Sequence, residues 1–214
     1  MMLENLSYGS LKTSFNSNKK LKLVTYIVAG LVTALIVYFL YRQFFWKPSN
    51  EKSQDGYWIA QNYIAKDSTD KAIAVLVPFV KKFDGKSGGE LGQYLLATQY
   101  MKKGEFKKAL TNLEGVSLDD TYLSIMCIGL RGDCKSEMKM YKEAAELYVE
   151  AADADNNDLT APMYLFKAGG CAEQIKDFKL ASELYTRIKN DYPQFGQQKT
   201  IDKYISRVSS NKAK

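Results

Sequence analysis

The stretch LLATQYMKKGEFKKAL, residues 95–110, decides the fold. It places a small residue, Ala97, in a first apolar segment, a Lys103-Gly104 turn signal after it, and Ala109 in a second segment. Small residues allow two helices to approach closely, and aromatic side chains such as Phe106 fill the space that remains. The stretch therefore predicts two helices that pack against each other around Ala97 and Ala109.

The same arrangement recurs along the chain. Ala72, Ala109, Ala144 and Ala181 are separated by 37, 35 and 37 residues, and a small residue precedes each of them by twelve positions. This alternation, with spacings close to a 34-residue period, is typical of the tetratricopeptide repeat (TPR), which stacks helix pairs into a solenoid. The segment LFKAGGCAEQIKDFKLASELYTRIKNDYP (165–193) resembles one such repeat. An irregular helical bundle with accidental spacing is the alternative.

The repeat anchors also set the expected domain organisation. No run of alternating β-branched residues interrupts the helical pattern, so the fold class is all-α. We expect a TPR-like α-solenoid of about four helix pairs over residues 53–214. Its repeats lie near 53–86, 89–121, 124–157 and 161–194, and a C-terminal capping helix covers 197–209.

An uncharged run of 19 residues, 23–41, precedes the repeats. As a helix it is about 28 Å long, close to the thickness of a bilayer core. Phe44, Phe45 and Trp46 follow it, as in an interfacial aromatic belt. A buried core helix and a cleaved signal peptide are the alternatives. We predict one uncleaved N-terminal transmembrane helix over 23–45, which places Leu23, Val28, Leu31, Leu35, Phe39 and Tyr41 in the lipid bilayer.

Charges around this segment favour one orientation weakly. Four lysines precede it in a lead segment, 1–22, whereas Arg42, Lys47 and Lys52 follow it. The positive-inside rule then places the N-terminus in the cytoplasm and the repeats outside. A short linker, 46–52, is expected between the membrane helix and the repeats.

Composition excludes several kinds of chemistry. The chain has no histidine, which removes the common catalytic and metal-binding uses of that residue. Its three cysteines, Cys127, Cys134 and Cys171, are expected to be small core thiols. Residues 47–214 carry 25 basic and 23 acidic groups, too balanced for a nucleic-acid footprint. The loop GKSGG (85–89) is interpreted as a linker between repeats. We expect no enzyme activity, no cofactor, no metal and no nucleic-acid partner.

The concave groove of the solenoid is the expected binding site. Its surface is predicted to be aromatic, methionine-rich and partly acidic, which suits adaptable binding of apolar or extended peptides. Alternatively, several of these side chains pack against the next repeat or an added helix. The predicted groove residues are Tyr57, Leu91, Tyr94, Thr98, Met101, Met126, Asp133, Met163, Phe166 and Glu173.

Two segments carry a family resemblance. GGELGQYLLATQYMKKGEFKKAL (88–110) and LRGDCKSEMKMYKEA (130–144) resemble the YfgM family of ancillary subunits of the bacterial SecYEG translocon. The resemblance implies a single-pass inner-membrane protein with its TPR domain in the periplasm. It further implies a PpiD-like membrane chaperone as partner, a place at the exit of the SecYEG channel, and contact with emerging, unfolded polypeptides.

Other interaction proteins share this general plan. One alternative is a different cell-envelope TPR adaptor, for outer-membrane assembly or cytochrome maturation. Another is a cytoplasm-facing TPR receptor with the reversed orientation. A membrane-anchored scaffold or chaperone co-factor of the Sec translocon is the first expectation.

Overall fold

The computed structural model describes residues 17–116 and 120–212. The chain divides into two compact units, residues 1–51 and 52–214. Helices make up most of the described residues, and none of these residues forms a β-strand. The predicted all-α class is confirmed. Most of the predicted lead segment, 1–22, lies outside the described residues.

The first unit contains one long apolar helix. Helix α1 spans Lys19–Tyr41 and begins at Asn18, whose side chain accepts hydrogen bonds from the backbone of Lys20 and Leu21. None of its side chains is buried by protein, and it is long and apolar enough to cross a membrane. The hydroxyls of Thr25 and Thr33 donate to backbone carbonyls one turn earlier, so these polar groups are satisfied within the helix.

The end of the apolar segment differs from the prediction. The α-helical geometry stops at Tyr41, and Arg42–Trp46 forms a π-helical turn, so residues 23–45 are not one uniform α-helix. The segment predicted as a linker, 46–52, is mostly helical, because helix α2 covers Lys47–Gln54. Pro48 lies in the first turn of α2, directly after the π-helical turn, so proline did not mark a loop here.

Four helix pairs follow, each joined by a short turn. The two helices of each pair pack against each other, as do successive pairs. Ala72, Ala109, Ala144 and Ala181 are fully buried in the second helices, so the spacing found in the sequence marks real packing positions. The pairs are α3 (Trp58–Ala65) with α4 (Thr69–Lys82), α5 (Ser87–Lys102) with α6 (Phe106–Glu114), α7 (Thr121–Glu137) with α8 (Tyr141–Ala154), and α9 (Thr160–Gln174) with α10 (Phe178–Asp191).

Two glycines explain how the later pairs close. A Cβ atom on Gly132 would lie 2.7 Å from the ring of Tyr148, and one on Gly169 would lie 2.4 Å from the ring of Tyr185. Real Cβ atoms do not approach neighbours so closely. In these two pairs the first helix therefore needs glycine where the tyrosine of its partner helix crosses it.

A left-handed residue ends the first helix of every pair. Asp67, Gly104, Lys139 and Lys176 have φ between 53° and 72°, and they share the spacing of the alanines. Around each residue the backbone makes a Schellman motif, for example Met140 N–H to Lys135 C=O and Lys139 N–H to Ser136 C=O. These turns reverse the chain between the paired helices.

The predicted linker GKSGG is wrong in its second half. Helix α5 begins at Ser87, so Gly88 and Gly89 lie in its first turn. A Cβ atom on Gly88 would meet the carbonyl oxygen of Ser53 at 2.1 Å, and one on Gly89 would meet that of Phe83 at 1.9 Å. The buried Ser53 hydroxyl accepts a hydrogen bond from Gly88 N–H at 3.1 Å. These glycines permit close packing at the start of a helix, whereas the sequence predicted that they belong to a linker.

The C-terminal cap consists of two helices instead of one over 197–209. Helix α11 spans Pro193–Lys199 and α12 spans Ile201–Lys212. The break falls at Thr200, whose backbone is left-handed with φ 53° and ψ 49°. Helix α12 packs against α10 and buries Ile201 and Val208 there.

The apolar core of the second unit has three parts of unequal size. The largest cluster joins α7 to α12 and contains Ile125, Tyr148, Leu165, Tyr185 and Val208 among others. A smaller cluster lies between α5, α6 and α7, and another joins α3 and α4 to α5. The hydrophobic core is therefore concentrated at the C-terminal end of the solenoid.

Candidate protein-interaction surface

Helices α7 and α9 meet side by side and form the centre of the candidate site. A Cβ atom on Gly129 of α7 would lie 2.2 Å from the ring of Tyr164 of α9. The Tyr164 ring therefore lies on the α7 backbone, and it also stacks on Tyr148 with a centroid distance of 6.2 Å and an interplanar angle of 16°. Glycine at 129 thus allows two consecutive repeats to share a pair of stacked tyrosines.

A carboxylate joins these tyrosines to a lysine. The Tyr148 hydroxyl donates to Asp133 Oδ1 at 2.5 Å, and Lys167 Nζ donates to the same oxygen at 2.7 Å. The Lys167 ammonium lies 5.4 Å from the ring centroid of Tyr148 and 5.8 Å from that of Tyr164, within cation–π range. The lysine side chain is thus held at the junction of α7, α8 and α9.

The same arrangement recurs at the C-terminal end. The Tyr185 hydroxyl donates to Glu173 at 2.7 Å, and Arg207 of α12 donates to both oxygens of that carboxylate at 2.6 and 2.9 Å. Arg207 also lies over the ring of Tyr204, 4.7 Å from its centroid. In both cases the cation follows the acid by 34 residues. Helix α12 therefore occupies the position that the first helix of a further repeat would take.

These contacts raise the pKa values of three tyrosines and so favour the protonated phenols. Burial, then the hydrogen bond to Asp133, raises the pKa of Tyr148 far above its usual value of 10. Burial and the bond to Glu173 raise the pKa of Tyr185 in the same way. Burial, with the nearby charge of Asp133, raises the pKa of Tyr164 to about 12. At neutral pH these phenols act as hydrogen-bond donors and apolar surfaces.

An open cavity of about 340 Å³ lies beside Lys167. Gly170 leaves space there, because a Cβ atom at this position would meet no atom within 4 Å. Side chains of three helices supply hydroxyl, amide and ammonium groups to its wall. The lining residues are Ser136, Tyr141, Tyr148, Lys167, Gly170, Cys171 and Gln174.

Exposed apolar side chains lie at the other end of the same helices. Tyr122 and Met126 are four residues apart on α7, and Leu159 and Met163 take the corresponding positions at the start of α9, 37 residues later. All four are exposed, and Leu159 has 77% of its surface in solvent. Met126 lies about one turn before Gly129 on α7, and Met163 directly precedes Tyr164 on α9. We call these four residues the apolar cluster.

The residues predicted to line the groove have several different environments. Met126 and Met163 are exposed and belong to the apolar cluster, whereas Tyr57 and Leu91 are half-buried. Tyr94 and Met101 pack against the core between α5, α6 and α7. The Thr98 hydroxyl donates to the Leu95 carbonyl within α5.

Phe166 is covered by the C-terminal helices. Its ring contacts Tyr185, Phe195 and Tyr204, with centroid distances between 4.9 and 6.4 Å. The acids Asp133 and Glu173 are held in ion pairs. The open part of the predicted surface is therefore centred on Met126 and Met163.

Sequence reasoning missed two members of the apolar cluster, Tyr122 and Leu159. The signal was present, because the 37-residue spacing that relates Met126 to Met163 also relates Tyr122 to Leu159. It also missed Lys167, whose position beside a groove carboxylate depends on the packing of two repeats. An alignment of positions within one repeat does not reveal such contacts between repeats.

The cysteines are packing residues. All three are buried and free, and burial raises the pKa of Cys127 and of Cys134 to about 11. The Cys171 thiol lies 3.9 Å from the Ser136 hydroxyl. Within residues 17–116 and 120–212, no group of three or more Cys, Asp or Glu side chains is placed to hold a metal ion.

Comparisons with known proteins identify the class of fold. Residues 164–194 match the tetratricopeptide repeat family. No curated protein matches the chain. The structure is similar to a kinesin light chain-like protein of Podosopora anserina with nearly identical TPR-like repeats, with TM-score 0.53, 18% identity, and coverage of 78% of this chain and 96% of that one.

A second solved structure has the same kind of likeness. MamA of Desulfovibrio magneticus RS-1, residues 41 to the end, superposes with TM-score 0.53 and 16% identity over 75% of this chain and 96% of that one. At such identities the likeness concerns the fold. The chain is thus a TPR-type solenoid, the architecture of protein-interaction scaffolds that are generally not enzymes.

Proposed function

We propose that this chain is a membrane-anchored TPR scaffold and chaperone co-factor that works beside the Sec translocon. In this proposal its partners are SecYEG and a PpiD-like membrane chaperone, and its clients are emerging polypeptides. It is a single-pass protein of the bacterial inner membrane, with its N-terminus in the cytoplasm and its solenoid in the periplasm.

The apolar cluster is the observation that carries this proposal. A soluble domain rarely keeps Tyr122, Met126, Leu159 and Met163 exposed together unless something binds them. Methionine side chains repack easily against different partners, which suits clients of varied sequence. The cavity beside Lys167 lies toward the other end of the same two helices and offers polar groups to a peptide backbone.

The apolar helix α1 supports the anchoring part of the proposal. An anchored solenoid presents its binding surface at a high effective concentration to membrane-bound partners. The resemblance of residues 88–110 and 130–144 to translocon subunits supports the choice of partner.

A cross-linking experiment tests the partner. A photoreactive amino acid placed at Val28 or Leu35 of α1 is expected to capture subunits of the translocon in intact membranes. The same group placed at Glu146, an exposed residue of α8, serves as a control that lies outside the apolar helix. Repeated recovery of no translocon subunit from either α1 position would reject the Sec assignment.

Substitutions in the apolar cluster test the binding surface. The double variant Met126→Ser/Leu159→Ser is expected to reduce recovery of the PpiD-like chaperone or of unfolded client polypeptides. Ile175→Ser is the matched control, because Ile175 is an exposed apolar residue at the opposite end of α9. Equal recovery with both variants, each with an unchanged circular dichroism spectrum, would show that the cluster is not the binding surface.

A fusion experiment tests the orientation. Alkaline phosphatase, which is active only in the periplasm, is expected to be active when fused after Lys214. A fluorescent protein that matures only in the cytoplasm is expected to stay dark at the same position. The reverse pair of results would favour the cytoplasm-facing receptor.

A further inference from the structure

The two ends of the solenoid differ in how they meet solvent. The corresponding residue is buried in three of the later first helices, as Leu96 at 4% exposure and Ala168 and Val208 at 0%, whereas in α7 it is Arg131, which is half-buried. Ile59 takes the corresponding position in α3 and is 42% exposed. At the N-terminal end of the stack, the side chain at this position is therefore apolar and exposed to solvent.

Trp58 lies next to this position and enlarges the apolar surface. In α9 and α12 the corresponding residues are Lys167 and Arg207, which reach back to the preceding repeat. Trp58 instead is 57% exposed. We call Trp58 and Ile59 the N-terminal end face.

The C-terminal end has the opposite character. Helix α12 directs its apolar side chains, Ile201 and Val208, into the core. Its exposed residues are polar or charged, including Asp202, Lys203, Ser206 and Ser209. Solenoids need such polar ends to remain soluble as monomers. The C-terminal end is polar in this way, whereas the N-terminal end exposes Trp58 and Ile59.

The size and chemistry of the N-terminal end face favour lipid over protein as its partner. A stable protein interface buries about 800 Å² on each side, far more than one tryptophan and one isoleucine provide. Tryptophan has both an apolar ring and an N–H donor, and it is enriched at the headgroup level of bilayers. An apolar end that is too small for a stable dimer is well suited to shallow contact with a membrane surface.

The covalent connection brings lipid close. Trp46 marks the end of the apolar segment, and eleven residues, 47–57, separate it from Trp58. Most of these residues are helical, and at a rise of about 1.5 Å per residue the connection holds Trp58 within about 20 Å of Trp46, so even weak lipid contact becomes populated. We propose that the N-terminal end face, Trp58 with Ile59, docks on the headgroup region of the bilayer that holds α1. This inference rests on the membrane anchoring of the proposed function.

The two tryptophans allow a direct test, because the chain contains no others. The variant Trp46→Phe leaves Trp58 as the reporter, and Trp58→Phe leaves Trp46. Each full-length variant is placed in nanodiscs of phosphatidylglycerol and phosphatidylcholine, with and without brominated phosphatidylcholine. We expect brominated lipid to reduce the emission of Trp58 to an extent comparable with that of Trp46.

Further substitutions identify the contact. Adding Ile59→Ser to the Trp46→Phe chain is expected to weaken quenching of Trp58 by brominated lipid. Adding Leu159→Ser, which alters an exposed apolar residue in the last repeat, should leave that quenching unchanged.

Three other quenching patterns would contradict the inference, and each has a different meaning. Quenching of Trp46 by lipid, with Trp58 quenched only by aqueous acrylamide, would overturn the end-face contact and leave the anchor intact. Absence of lipid quenching at both positions would overturn the anchor as well. Protection of Trp58 from both quenchers would mean that protein, such as a second copy of the chain, covers the face.

Discussion

At the residue scale, two adjacent glycines of α9 have opposite roles. Gly169→Ala would place a methyl group 2.4 Å from the Tyr185 ring, and overpacking of this kind costs about 1–3 kcal/mol. Gly170→Ala would add a methyl group to open space and favour the helix by about 0.5–1 kcal/mol. Urea denaturation of the full chain should show a lower midpoint for the first variant and a higher one for the second. A loss of stability in both variants would contradict the packing described for this pair.

The buried tyrosines predict a loss of stability in alkali. Because the folded state raises the pKa of Tyr148, Tyr164 and Tyr185, it favours their neutral forms, and this stabilisation is complete below pH 10. As the pH rises through the folded value of about 12 for Tyr164, the stabilisation is lost. The free energy of unfolding should therefore fall as the pH rises from about 10 toward 12.

The alkaline effect can be assigned by substitution. Tyr164→Phe should make the fall in stability above pH 10 shallower, because it removes one titrating buried phenol. Tyr122→Phe is the control, since Tyr122 is exposed on α7. Circular dichroism in urea at a series of pH values measures both slopes, and identical slopes for the two variants would rule out this assignment.

At the element scale, the left-handed turn residues limit stability. Lys139 and Lys176 adopt a backbone conformation that costs a non-glycine residue about 1 kcal/mol or more. Lys139→Gly should therefore stabilise the solenoid by up to about 1 kcal/mol, less the entropy that glycine adds to the unfolded chain. Gly104→Ala, at the equivalent turn, should destabilise it by about 1 kcal/mol.

A nearby lysine provides the control for this prediction. Lys142 lies in α8 with a helical backbone, so Lys142→Gly is expected to lower stability. The same chemical change, three residues apart, should thus have opposite signs in thermal unfolding. Equal effects at both lysines would contradict the turn geometry.

The sequence predicted some helices and missed others, and the difference lies in which residues mark them. The alanine spacing predicted the paired helices because each alanine is a packing requirement, and all four are fully buried. Helix α2 and the first turn of α5 were missed because Pro48, Gly88 and Gly89 resemble loop residues in a one-dimensional pattern. Their roles depend on position within a helix and on the neighbour across the packing contact. The break at Thr200 was missed because threonine rarely adopts a left-handed backbone.

At the scale of the whole molecule, α12 completes the core. Truncation after Thr200 would remove Ile201, Tyr204, Arg207 and Val208 and expose Tyr185. Burial of such side chains contributes about 1.5–3 kcal/mol each, so we expect a loss of several kcal/mol in the free energy of unfolding. A control truncation after Ser209 keeps all four side chains. Chemical denaturation of the two shortened chains should separate them clearly, and equal midpoints would contradict a capping role.

The candidate surface was predictable only in part. Met126 and Met163 were predicted to line the groove from repeat position and are exposed, whereas Phe166, predicted by the same logic, lies beneath the C-terminal helices. Position within a repeat tells which way a side chain points. It does not tell whether another element covers that side chain, because the covering helices, α11 and α12, lie outside the repeat pattern.

The uneven core has a mechanical consequence. The first helix pair after the apolar helix in the chain, α3 with α4, belongs to a small cluster, whereas the large cluster joins α7 to α12. Neighbouring pairs in a solenoid unfold by fraying from an end, and the weakest end frays first. In the anchored scaffold proposed above, a pull from a bound polypeptide would therefore unfold the first pair before the distal pairs, so the helices that bind the polypeptide would stay folded while the connection lengthens.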